Sequence, residues 1–219
     1  MRLTAVRERC SLISDMPKDK TESHEKIINA ARREFLAQGF EDASMRRIAA
    51  DAGLTVSALY KHFPGKEEMF AALVQPAVDA FLDMYHRVET EAFTEAGLVE
   101  EGHIWEDKKE TQMVMGFIYD RLDEFLLIVT KSRGTAYASF VHEIARKEEE
   151  TTLRYMELLR ARGIPVKTVD RQEFHLLVTA NINAIFEAVR HGFTREEAMH
   201  YAETLENFWS EGWKQLFGY

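Results

Sequence analysis

The segment from Ser44 to Lys66, reading Ser-Met-Arg-Arg-Ile-Ala-Ala-Asp-Ala-Gly-Leu-Thr-Val-Ser-Ala-Leu-Tyr-Lys-His-Phe-Pro-Gly-Lys, constrains the fold of this chain more than any other stretch. Met45, Ile48, Ala49 and Ala52 recur at helical spacing behind Ser44, whose hydroxyl suits an N-cap. Gly53 falls where that helix must stop, and Thr55 stands where it can cap a second helix over about Val56 to His62. Leu54 and Leu59 hold the two positions of a hydrophobic staple, which fixes the entry angle of the second helix. The spacing predicts two short helices at a steep angle. The second keeps Leu59 and Phe63 for the core and turns Val56, Ser57, Tyr60 and Lys61 outward, where they can read a groove of duplex DNA.

The flanks serve the same end. Ile27, Ala31 and Phe35 form one apolar stripe on a preceding helix that ends at Gly39, and Phe40 plugs the small core that results. Past Pro64 and Gly65 a further helix opens with Lys66, Glu67 and Glu68. Its unpaired N–H groups and positive dipole end face the way a phosphate would approach, and Lys66 adds a full charge there.

From about Lys26 to Phe70 the chain resembles the tetracycline-repressor (TetR) family of bacterial transcriptional regulators, most densely at Ile48-Ala49, Gly53 and Leu59 through Phe70. The resemblance implies that Ser44, Thr55, Tyr60, His62 and Lys66 hold phosphates, while Arg46, Val56, Ser57 and Lys61 approach base edges. Ser57 stands where many relatives carry glycine, a small-for-small change. The remaining three-quarters of the chain resembles the family only in its helical layout and length.

Length and composition agree with an all-α chain of two domains. The 219 residues suit a DNA-binding module plus one helical domain, and 46% hydrophobic with 30% charged residues supplies a real core. The expected division is an N-terminal arm over residues 1–20, a three-helix helix-turn-helix domain over 21–66, and a helical effector-binding and dimerisation domain over 67–219. No apolar run approaches the roughly 18 residues of a membrane span. The first residues lack an apolar signal region and the single Cys10 has no internal partner, so a cytoplasmic location is expected. The formal charge of -9 looks unsuited to nucleic acid until it is divided: residues 1–75 carry +1 and the remainder -10. A head of near-neutral charge binds DNA through a few placed phosphate contacts and dimeric geometry. The arm carries Arg2, Arg7, Arg9, Lys18 and Lys20, and is either disordered or reaches into a neighbouring minor groove; Met16 before Pro17 is an alternative start.

In the second domain Val74, Val78, Phe81, Leu82 and Tyr85 continue the helix begun near Lys66, with Pro76 expected to kink it and so to help couple the domains. Gly97 to Gly102 reads as a loop, and helices follow over Ile104 to Tyr119 and Leu122 to Lys131. A longer one carries Phe140, Ile144, Leu153, Met156 and Leu159 inward, with Arg146 to Glu150 as a solvated charge run. Asp170 with Glu173, and Thr194 with Glu197, have capping-box spacing and begin two long terminal helices. Their stripes, Phe174, Leu177, Val178, Ile182, Ile185 and Val189 on one and Tyr201, Leu205, Phe208, Trp209 and Trp213 on the other, serve either a four-helix interface with a second copy or the protomer's own core.

Phe81, Tyr85, Trp105, Phe117, Tyr119, Tyr137, Phe140, His142, Asn181 and Asn183 are candidates for a mostly apolar effector cavity. The family resemblance implies a small-molecule effector that releases a homodimeric repressor from a palindromic operator. The alternatives are an all-helical enzyme and a small-molecule-binding interaction protein without DNA binding. Against the enzyme, no His-Glu-x-x-His, paired cysteines, Gly-rich phosphate loop or Gly-x-Ser-x-Gly occurs, so no catalytic residue, metal site or cofactor is assigned. His24, His142, His175 and His200 are the histidines that tertiary folding would have to gather to make a metal site.

Overall fold

The computed structural model describes residues 18–94 and 109–218, so the arm up to residue 17, the expected loop over 97–102 and Trp105 lie outside the described residues. Helices dominate: α1 (Lys18–Asp42), α2 (Met45–Asp51), α3 (Val56–His62), α4 (Lys66–Phe93), α5 (Glu110–Tyr119), α6 (Leu122–Leu126), α7 (Phe140–Ala161), α8 (Arg171–Arg190) and α9 (Arg195–Phe217). Lys18 to Lys20, expected to belong to the arm, open α1. The described residues gather into two compact units, one running to Asp79 and taking in Leu122–Phe140, the other holding Ala80–Arg121 and everything from Val141 onward. Helix α4 runs through Pro76, contributing its first half to one unit and its second half to the other.

The first unit is built on α1. Ile27, Ala31 and Phe35 are fully buried, as their spacing predicts, and so is Ala30. At Gly39 the backbone departs from helical geometry (φ 78°, ψ 167°), a conformation that only glycine adopts without strain. The departure swings Phe40 inward. Phe35, Phe40 and Phe70 meet with ring centroids 5.2–6.1 Å apart, two of the three contacts edge-on, the geometry that aromatic quadrupoles favour. Helices α2 and α3 close over this base with Ile48, Ala49 and Leu59 buried.

Leu122–Phe140 was expected in the carboxyl-terminal domain and packs instead in the first unit. Helix α6 passes into a wide π-helical turn, Leu127–Lys131, and a 3-10 turn, Ala136–Ser139, precedes α7. Arg32 of α1 pairs with Glu124 at 2.7 Å, and Tyr137 lies 5.9 Å from the Phe70 ring. Tyr137 also donates a 2.6 Å hydrogen bond to the Gln75 side-chain oxygen, while the Gln75 amide donates to Asp79 at 3.0 Å. A buried glutamine is thus satisfied at both ends of its amide.

The second unit is a helical bundle. Phe81, Phe117 and Phe186 pack with centroids 5.8 and 6.4 Å from Phe81, and α5 lies along α9. The terminal hairpin starts as its sequence predicts: Asp170 accepts from the Gln172 and Glu173 N–H groups, and Thr194 with Glu197 forms a full capping box. Gly192 turns the chain between them at φ 66°.

Because Tyr137 alone supplies the donor to the Gln75 oxygen, Tyr137→Phe is expected to lower stability by about 1–3 kcal/mol, read from the urea midpoint at unchanged slope.

Candidate nucleic-acid interface and internal cavity

Helix α3 stands on its buried side at Leu59 and presents the opposite side to solvent. Thr55 caps it, its hydroxyl oxygen accepting from the Ala58 N–H at 3.1 Å. Ser57, Tyr60 and Lys61 are exposed at i, i+3 and i+4, so they share one face, and Tyr60 leaves 49% of its surface free. Val56 is half-buried beside them. Arg46 on α2 is exposed as well. Among the described residues neither Arg46 nor Lys61 forms an ion pair, whereas the neighbouring arginines are engaged: Arg33 with Asp51 at 2.8 Å and Arg47 with Glu34 at 2.6 Å.

Of the residues expected at phosphates, Ser44 keeps its expected place at a helix start, His62 is half-buried and Lys66 is turned elsewhere. Ser44 is the N-cap of α2 but makes no capping hydrogen bond with its side chain; instead its backbone N–H donates to the Glu34 carboxylate at 2.8 Å. Burial alone would raise the Glu34 carboxyl, but the hydrogen bonds from Arg47 and from Ser44 outweigh it and hold it below the ordinary value. The Lys66 ammonium turns back over the Phe40 ring, 4.6 Å from its centroid, and donates to the carbonyls of Glu41 and Ala43 at 2.9 and 3.3 Å. It secures the end of α1 rather than extending toward solvent. His62 is half-buried and close to His24, which stacks on Phe63 with centroids 5.2 Å apart. Burial, and then the charge of His62, lower the His24 pKa. The groups open to solvent in this conformation are therefore Arg46, Ser57, Tyr60 and Lys61, with Thr55 and Val56 at the start of α3 and the unengaged Ser44 hydroxyl at the start of α2.

The second unit encloses a cavity of about 100 Å³, lined among others by Glu148, Thr152, Asn181, Glu206, Trp209 and Trp213. Of the nine expected effector-pocket residues that are described, only Asn181 lines it. Tyr85 reaches it indirectly, donating from its hydroxyl to Glu148 at 2.9 Å. The others are accounted for elsewhere. Tyr137 and Phe140 belong to the first unit, His142 is exposed, and Trp105 lies outside the described residues. Phe81 and Phe117 are packed against each other, the Tyr119 hydroxyl donates to the Phe193 carbonyl at 3.0 Å, and the Asn183 amide donates to the Thr179 carbonyl at 2.8 Å.

The charge run Arg146 to Glu150 is likewise only partly solvated. Glu148 turns inward, where it accepts from Tyr85 and, at 3.1 Å, from the Thr152 hydroxyl. Burial raises its carboxyl above the ordinary range, and the nearby Glu89 charge adds to the shift while both hydrogen bonds oppose it. A side chain facing inward from a charged pentapeptide gives no local signal; its one trace is the i, i+4 pairing of Glu148 with Thr152.

The terminal stripes also divide differently. Phe174, Val178, Ile182, Ile185 and Val189 are no more than 7% exposed within the single chain, and Leu205 is buried too, so they form its own core. Trp209 and Trp213 stack 5.4 Å apart at the cavity, and half-buried Tyr201 packs edge-on against Phe193. What faces solvent is Phe208 on α9 and Leu176 with Leu177 on α8.

Residues 27–73 match the family described as "Bacterial regulatory proteins, tetR family". The amino-terminal domain of this chain belongs to the TetR family. Among curated proteins the chain is similar to the HTH-type transcriptional regulator SrpR of Pseudomonas putida, 31% identical over 128 residues, covering 57% of this chain and 60% of SrpR. It is also similar to the HTH-type regulator YdgC of Bacillus subtilis, 34% identical over 104 residues, 47% of this chain and 49% of that one. The chain thus matches about half to three-fifths of the length of these relatives. A solved TetR-like regulator from Rhodococcus sp. RHA1 shares the fold at a TM-score of 0.54 and 20% identity, over 92% of this chain and 98% of that one. Among the described residues no helix is long and apolar enough to cross a membrane, and no three His, Cys, Asp or Glu side chains gather to hold a metal ion.

The raised Glu148 carboxyl fixes a sign. The folded state holds this proton more tightly than the unfolded state does, so its contribution is full below the unfolded pKa and falls as pH rises through the window up to the folded pKa. Glu148→Gln is expected to flatten that decline, so that the difference in urea midpoint between variant and parent grows in favour of the variant from pH 4 to pH 8.

Proposed function

We propose that the chain is a homodimeric, cytoplasmic transcriptional regulator that binds a palindromic duplex operator and is released from it by a small-molecule effector, as a repressor. The observation that carries the DNA-binding reading is the solvent face of α3, where Ser57, Tyr60 and Lys61 stand together on a helix whose other side is locked by Leu59. Such a helix fits the major groove with its outward side chains at base edges and phosphates. The N-terminal match to DNA-binding regulators supports the same reading.

Tyr60 and Lys61 carry different parts of the contact. Against adjacent intergenic DNA in a gel-shift titration, Tyr60→Ala and Lys61→Ala are each expected to weaken binding by about 5- to 150-fold, with the helical circular dichroism retained. If Lys61 meets a phosphate, its removal also lowers the slope of log affinity against log salt by about one. Unchanged affinity in both variants rules the assignment out.

Pairing of two heads requires a surface on the second unit. Leu176 and Phe208, 67% and 69% exposed, are large apolar groups left open on the terminal hairpin, and we assign the contact between copies to them and Leu177. Leu176→Asp combined with Phe208→Asp is expected to convert a dimer into a monomer in sedimentation equilibrium; a parent that sediments as a monomer excludes the pairing. In this reading the effector enters the second unit and favours a dimer geometry with poorly spaced heads.

A further inference from the structure

The lining of the internal cavity does not match an apolar effector. Glu206 accepts from the Thr111 N–H at 3.2 Å through one carboxylate oxygen, and its other oxygen is buried without a partner. The Trp209 indole N–H is buried and unpartnered as well. On α7, Glu148 and Thr152 follow one another at i and i+4 and both line the cavity. Among the described residues no lysine or arginine pairs with Glu148 or Glu206.

Buried polar atoms without partners are costly, and buried carboxylates without a counter-charge more so. A neutral apolar guest would leave the second Glu206 oxygen and the Trp209 N–H unmet, and Glu148 without a counter-charge. A cation carrying N–H donors meets both carboxylates, and the stacked Trp209 and Trp213 rings supply the aromatic faces that attract positive charge. Space limits the guest: about 100 Å³ equals on the order of three liquid water molecules, which suits a compact ammonium or guanidinium head and a short chain.

We propose that the effector site of the second unit takes a small organic cation with N–H donors, a primary amine or guanidine, held between Glu148 and Glu206 against Trp209 and Trp213. This rests on the effector-responsive reading above and names the chemical class of the effector. The unpartnered indole N–H of Trp209 further favours a guest that also bears a hydrogen-bond acceptor.

Three probes of similar size separate the possibilities on the purified full-length protein: butylammonium, which has charge and donors; tetramethylammonium, which has charge alone; and 1-butanol, which has neither charge nor an ammonium donor set. Calorimetric titration and thermal shift are expected to show saturable binding of butylammonium, with tetramethylammonium and butanol at least tenfold weaker. Glu206→Gln and Trp209→Phe are expected to weaken butylammonium at least tenfold and fivefold respectively, with the helical circular dichroism and the thermal midpoint of the free protein retained. Equal binding of butanol, no binding of butylammonium, or full affinity in Glu206→Gln overturns the proposal. A gel shift run without any amine keeps the two readings apart. Operator binding that no amine affects, with no amine bound, removes the cation site and leaves the regulator; amine binding by a protein that retains no DNA removes the regulator and leaves the site.

Discussion

The amino-terminal unit hangs on one aromatic junction. Phe35, Phe40 and Phe70 meet only because Gly39 lets the chain leave helical geometry and turn Phe40 inward. That meeting joins α1 to α4, and the two short helices close over it. The junction also fixes Lys66, which sits on the Phe40 ring and ties down the last carbonyls of α1. Tyr137 extends the same ring cluster into the segment that would otherwise be read as part of the other domain. A side chain at position 39 would strain the turn at its positive φ, and the loss would reach every element of the head.

Charge in the head is spent on holding the scaffold as much as on meeting a ligand. Arg32, Arg33 and Arg47 each engage a carboxylate, and Glu34 serves two partners at once, Arg47 and the first free N–H of α2. These pairs are mostly exposed and individually worth little. Their collective effect is orientation: they fix which cations stay free. Arg46 and Lys61 remain, on the side where α3 is open.

The head was legible in the sequence because its information is local. Caps, a positive-φ glycine and a three-residue apolar rhythm decide α2 and α3 within a few positions, and the bounds of α3, Val56 to His62, follow from Thr55 and Phe63 alone. The placement of Lys66 was less so, since what draws it away, the Phe40 ring, lies far back along the chain. In the second unit, element existence was readable from caps, and the Thr194 capping box stands as its spacing requires. The cavity was not. Which side of a long amphipathic helix carries the core and which a partner depends on neighbours that periodicity does not name, so Phe174 and its stripe serve the protomer's own interior while Leu176 faces out. Glu148 sits in the same run as solvated Arg146, two positions apart and on another side of the helix.

Helix α3 separates two burdens over seven residues. Leu59 alone anchors it, with nothing exposed, while Ser57 and Lys61 touch no part of the core. Substitutions at the outer positions leave folding energy almost unchanged, so under the proposed DNA-binding role descendants of such a chain acquire new target sequences by drift at those sites, without first gaining a reserve of stability to offset the change.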